Sequence, residues 1–360
     1  FIPIFKEFSL FDLTLQRLNK GKLFKKPIIV TSERYLEHVN ESLLRTGMEA
    51  ERIILEPEAK NTFPAITMAI ILALQKDKSE NFIVTPSDHY ISINKNFHDC
   101  CLLGRNNLDK DGLILMGIPP QHPSKDYGYI LTNLQVNKIK SVQNFIEKPD
   151  LEKSKKLIKN PNVYWNAGIF IFNGSWYINN LNKINSQALR KISKVVNEGT
   201  TKSNFFYPDI NLFNKLRKQS FDKVFVEKNK SSFMIELIAG WSDLGSWRAL
   251  SALQRDPSSS MTLYSEGSYD RAEKPWGYFE TLMETNTSKV KLLNVLPGER
   301  LSLQKHKHRS ETWYVVHGTA KVTKDKERFT METGDSVIID KNQLHRLENL
   351  GDIPLQIIEV

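Results

Sequence analysis

The chain has 360 residues, 40% hydrophobic and 25% charged, with a net charge of +9; this length exceeds what one core usually supports and predicts two domains. No apolar run reaches membrane-spanning length and none reads as a signal peptide, which argues against a membrane protein. The basic residues are scattered among Asn and Glu instead of alternating in blocks with aromatics, which argues against nucleic acid and suits a surface with some attraction for phosphorylated substrates. The two cysteines, Cys100 and Cys101, are adjacent, which fits a reducing cytoplasm better than a disulfide framework. In chain order, 27–32 and 52–55 are short β-branched runs. From Asn61 or Thr62 the pattern becomes helical, with Pro64 in the first turn and an apolar stretch over 65–74. Residues 81–85 and 113–118 read as strands, the first ending at Pro86-Ser87-Asp88-His89. Strands alternating with helices predict an α/β fold with a doubly wound, mainly parallel sheet, in which ligands bind beyond the carboxyl ends of strands. Residues 256–273 read as a linker between a first domain over 1–255 and a second over 274–360. After Pro275-Trp276-Gly277, short strands such as 289–296, 313–316 and 336–339 alternate with Gly and Pro turns, predicting a small all-β barrel.

Two sets of residues carry chemistry. In the second domain, Gln304, His306, His308 and Glu311 are followed by His345. Imidazoles at i and i+2 on a strand share a face, and a nearby carboxylate with one distant His could close a site on a single metal ion. In the first domain, Asp88 and Asp243 stand far apart in sequence at strand ends and could share one Mg²⁺, which takes one or two protein carboxylates and fills its shell with phosphate oxygens and water. Lys148 could meet a phosphate while Glu147 accepts from sugar hydroxyls. Each has a structural alternative: a turn cap, a surface ion pair, or plain packing for Tyr127, Tyr129, Trp165 and Trp247.

Taken together, Glu56-Pro57 with Asn61-Thr62, Pro86-Ser87-Asp88-His89, Tyr127-Gly128-Tyr129, Phe145-Ile146-Glu147-Lys148-Pro149, Tyr164-Trp165-Asn166-Ala167-Gly168 and Trp241-Ser242-Asp243-Leu244-Gly245-Ser246-Trp247 resemble the sugar-1-phosphate nucleotidyltransferases. The resemblance is strongest to the bifunctional mannose-1-phosphate guanylyltransferase/mannose-6-phosphate isomerases and covers essentially the whole chain. It implies that GTP and mannose 1-phosphate give GDP-mannose and pyrophosphate, with Asp88 and Asp243 on Mg²⁺. Lys148 would meet the sugar phosphate, Glu147, Asn166 and Gly128 the sugar, and Asn61 would lie near the guanosine. Gly298, His306, His308, Glu311 and Gly318, with Gly334, His345 and Asn349, resemble the two cupin motifs. They imply a divalent ion, Zn²⁺ by preference, on His306, His308, Glu311 and His345, with Gln304 close by. The second activity implied is a mannose-6-phosphate isomerase acting on mannose 6-phosphate or fructose 6-phosphate; a third reading is a non-catalytic sugar-phosphate or metal-binding remnant. A homo-oligomer is left open. The chain starts at Phe1 where the Pro-Lys-Gln phrase that follows the family's first strand and Gly-rich loop would have ended, and stops at Val360 inside what reads as a strand, so both ends read as cut. The expectation is a transferase impaired by the missing first strand and loop.

Overall fold

The structure, a computed structural model, describes residues 3–5, 8–19, 23–92, 94–108, 112–133, 138–244, 271–284 and 289–360. The chain forms two compact units, one essentially over 8–244 and the other essentially over 245–360. Nearly all of the expected linker lies outside the described residues; its last three positions belong to the strand Arg271–Lys274.

In the first unit a six-stranded sheet is covered on both faces. Leu113–Ile118 is apolar throughout because its alternate residues enter different cores: Leu113 and Leu115 pack with the helix Thr62–Leu74 and the kinked helix Gly174–Asn197, whereas Ile114, Met116 and Ile118 pack with the helix Asn94–Arg105. This two-faced burial is what a continuous apolar strand signals. The sheet is mixed, not mainly parallel. Among its described pairings only that between Leu113–Ile118 and Ser232–Glu236 is parallel. The reversal has a local cause: a hairpin, Tyr129–Thr132 with Ile139–Ile146, interrupts the strand–helix alternation, and the long strand Val163–Asn173 returns antiparallel to Leu113–Ile118. That strand also pairs with Tyr129–Thr132, closing a ring of five strands, while its far end pairs with Asn81–Val84. A second sheet places Ile28–Ser32 and Arg52–Glu56 side by side in parallel. The helix Thr62–Leu74 begins where Asn61 caps it, the Asn61 side chain accepting from the Thr62 amide at 2.7 Å.

The second unit is antiparallel throughout its described strands. A sheet built from Arg271–Lys274, Gly277–Glu284, Lys289–Val295, Leu355–Glu359, Glu311–His317 and Ser336–Ile339 accompanies a second one of Glu327–Met331, Ala320–Lys324 and His345–Asn349. Val295, Trp313, Val315, Val322, Leu347 and Ile357 form its core, the two-sheet solution that buries alternate strand faces. No helix among the described residues is long and apolar enough to cross a membrane.

Candidate active site and metal centre

A two-residue ribbon carries Asp88 and Asp243 toward the same histidine, His89. Tyr90–Ile91 pairs antiparallel with Trp241–Ser242, with Ser242 opposite Tyr90, so continuing the register sets Asp243 beside His89 and next to Asp88. His89 reports both carboxylates. Burial lowers its pKa, and the charges of Asp88 and Asp243 oppose that shift. Its Nδ1 accepts from the Trp241 indole at 3.2 Å, so the neutral ring carries its proton on Nε2. The Tyr127 hydroxyl donates to Asp243 Oδ1 at 3.0 Å, and desolvation followed by the Asp243 charge pushes the phenol well above its ordinary range. From the other side, Thr14 Oγ1 donates to the Ser87 carbonyl and the Arg17 guanidinium to that of His89, each at 3.4 Å. Residues 245–247 of the tryptophan-flanked phrase lie outside the described residues.

Next to this pair sits a second cluster. The Asn166 amide donates to the Gly128 carbonyl at 2.8 Å, and a Cβ placed on Gly128 would lie 2.8 Å from Glu147 Oε2. Only glycine lets that carboxylate approach. Burial first and then the Asp222 charge raise Glu147 to about 7, against the opposing pull of Lys148. Lys148 is exposed with φ 44°, and Asn61 has φ 69°, both in the left-handed region. The structure thus gathers Gly128, Glu147 and Asn166. It places Asn61 in a helix cap that is tied to the 219–221 segment, where the Phe221 amide donates to Thr62 Oγ1 at 2.9 Å. Lys60 forms an ion pair with Glu58 at 2.8 Å.

Sequence reasoning missed Asp222. Its Oδ1 accepts from Asn166 Nδ2 at 2.8 Å, and burial raises its pKa. The only local signal is Ser220, whose hydroxyl caps the short helix Phe221–Val224.

In the second unit His306, Glu311 and His345 come together, with one ligand atom of each lying within 4.8 Å of the others. The His345 Nδ1–H donates to the Gln343 carbonyl at 2.8 Å, leaving a buried Nε2 without a hydrogen-bond partner. That is the geometry of a neutral imidazole oriented for a metal. Burial lowers the pKa of His306, and the nearby charges of Arg309 and His345 lower it too, against the pull of Glu311. Gln304 exchanges two backbone hydrogen bonds of 2.9 Å with His345. His308 is exposed and outside this group, because 306–308 run through a bend and the i, i+2 rule for strands does not apply there. Arg309 lies instead against the group, its Nε donating to Glu311 Oε1 at 2.9 Å. The donor set, three convergent ligands with one orphaned imidazole nitrogen, fits a divalent ion.

A mixed α/β sheet covered on both faces is thus followed along the chain by an antiparallel β unit with a His/Glu cluster. Residues 1–259 match the nucleotidyl transferase family and residues 265–360 the C-terminal domain of mannose-6-phosphate isomerase; the chain belongs to the nucleotidyl transferase family and carries that isomerase domain. Similar proteins include the alginate biosynthesis protein AlgA of Pseudomonas aeruginosa, 27% identical over all of this chain and 88% of that one. The xanthan biosynthesis protein XanB of Xanthomonas campestris is 28% identical over all of this chain and 90% of its own. Mannose-1-phosphate guanylyltransferase of Klebsiella pneumoniae is 27% identical, with the same two coverages as XanB. Among solved structures, mannose-6-phosphate isomerase from Helicobacter pylori superposes with a TM-score of 0.61 at 25% identity, covering 67% of this chain and 93% of that one.

Proposed function

We propose that the chain is a mannose-1-phosphate guanylyltransferase. A phosphate oxygen of mannose 1-phosphate attacks the α-phosphorus of GTP in line, the bond from that phosphorus to the bridging oxygen breaks, and pyrophosphate leaves. One observation carries the reading: the dipeptide Tyr127-Gly128 touches Asp243 through its phenol and the Asn166–Glu147 cluster through its backbone. The residues assigned to the metal and to the sugar therefore share one short stretch of backbone. The relatives named for guanylyl transfer and for alginate and xanthan synthesis support the choice of substrates. Asp88 and Asp243 would hold Mg²⁺, whose contribution when bound is to neutralise triphosphate charge. Glu147, Asn166 and Gly128 would bind the sugar, Lys148 its phosphate, and Asn61 would stand near the guanosine. Positioning and charge complementarity then supply most of the rate.

The His306–Glu311–His345 centre favours a second activity, interconversion of mannose 6-phosphate and fructose 6-phosphate. Zn²⁺ there would polarise the sugar carbonyl, while a side-chain acid and base move a proton between C1 and C2.

Pyrophosphate release from GTP and mannose 1-phosphate, assayed beside isomerisation, tests both. Asp88→Asn and Asp243→Asn should each lower the first by about a hundredfold or more and leave the second unchanged. His345→Ala should do the reverse. Full pyrophosphate release by both aspartate variants would sink the guanylyltransferase assignment.

A further inference from the structure

Asp222 is a buried-side carboxylate that the reading above does not use, and it rests on that reading for its substrate. Three features locate it. Its Oδ1 holds the Asn166 side-chain amide at 2.8 Å, and the Asn166 Oδ1 in turn accepts from the Gly168 amide at 3.1 Å. The same Asn166 donates its backbone N–H to Gly128, against which Glu147 packs. The residue before it, Phe221, is fully buried and clamped by Phe170, Phe172, Tyr177 and Phe225 at centroid separations of 5.0–6.1 Å. Its backbone N–H is bound by Thr62. Asp222 therefore has little freedom to swing away from Asn166.

We infer that Asp222 is a positioning residue of the sugar site: it fixes the Asn166 amide and, with Glu147, forms a two-carboxylate wall that selects a neutral polyol ring over a second phosphate group. Vicinal sugar hydroxyls can donate to such a wall, whereas a phosphate meets like charge and is steered toward Lys148. The charges that act on Glu147 are those of Asp222 and Glu227, which raise its pKa, and of Lys148 and Lys223, which lower it. A merely structural Asp222 would tie down the strand irregularity between Asn166 and Phe170 and have no bearing on substrate choice.

The test compares the full chain with its Asp222→Asn variant, which keeps the shape, and Asp222→Leu, which removes the contact. Carboxyl-carbon NMR follows the Glu147 titration without ligand, and calorimetry with Mg²⁺ present measures binding of mannose 1-phosphate and, separately, GTP. In Asp222→Asn the Glu147 midpoint should move down from about 7 by the smaller part of its rise, because burial supplies the larger part. Mannose 1-phosphate should bind about ten- to a hundredfold more weakly, as for loss of a charged hydrogen bond. GTP affinity should hold, and discrimination against mannose 1,6-bisphosphate should fall. Asp222→Leu should weaken sugar binding further. An unmoved Glu147 titration, or equal loss of sugar and GTP affinity, would overturn the inference. If the unaltered chain binds no mannose 1-phosphate although the Glu147 midpoint shifts as described, the guanylyltransferase reading fails, and with it the sugar role of Asp222, while the carboxylate pair stands.

Discussion

Glu147 occupies a place that penalises its charge. In the unfolded chain its carboxyl titrates near 4.5; in the folded protein burial holds it at about 7. The folded state therefore binds the proton more tightly, so this residue's contribution to stability is complete below about pH 4.5 and is lost as the pH rises through 7. Glu147→Gln should flatten that interval in a plot of denaturation midpoint against pH, and raise the midpoint at pH 8. The variant should at the same time weaken mannose 1-phosphate binding. A stability profile unchanged between pH 5 and 8 would contradict the burial argument. A site that is less stable when ionised is a common mark of function, because the protein tolerates the cost where a ligand will later supply partners.

At the scale of elements, Gly168 sits in the irregularity of the strand Val163–Asn173, between Asn166 and the loop that carries Asp88. Gly168 has φ 69°, and a Cβ there would lie 3.3 Å from Pro86 and 3.8 Å from His89. Gly168→Ala should destabilise the first unit by about 1–2 kcal/mol through backbone strain and shift the Asp88 loop, which a weaker Mg²⁺ dependence of pyrophosphate release would reveal. Much at this scale was legible in the chain. Asn61 followed by Pro64 and an apolar run does start a helix, and Leu113–Ile118 is the strand its β-rich composition suggests. Pairing direction was not legible, because alternation of strands and helices says nothing about an inserted hairpin that reverses the next strand. His308 lies apart from His306, Glu311 and His345 for a related reason: the two-residue period that would align it with His306 holds only in extended backbone, and the chain bends there. Asp222 gave almost no sign, since Ser-Phe-Asp-Lys reads as an ordinary capped turn and its partner Asn166 is remote in sequence.

For the molecule as a whole, each unit owns a core: among the described residues three apolar clusters lie within 11–241 and one within 276–357. Heating should therefore give two resolvable transitions. A divalent ion bound at His306, Glu311 and His345 would stabilise only the second, by about 2.7 kcal/mol when its free concentration is a hundred times its dissociation constant. His345→Ala should abolish that metal-dependent shift and leave the first transition where it was. Ion-dependent movement of both transitions in the His345→Ala variant would mean that the first unit supplies the effect.

The carboxylates Asp88 and Asp243 hang on a ribbon only two residue pairs long, Tyr90 with Ser242 and Ile91 with Trp241. So short a ladder has few hydrogen bonds of its own, although Ile91 and Trp241 pack into an apolar cluster, and its amide protons should trade with solvent deuterium sooner than those of Leu113–Ile118. A cation bridging the aspartates would hold the ladder closed, so Mg²⁺ should slow exchange at Ile91 and Trp241 selectively. On this view the ion would complete a fastening that the polypeptide leaves half made, and substrate would meet a latch that sets only when loaded.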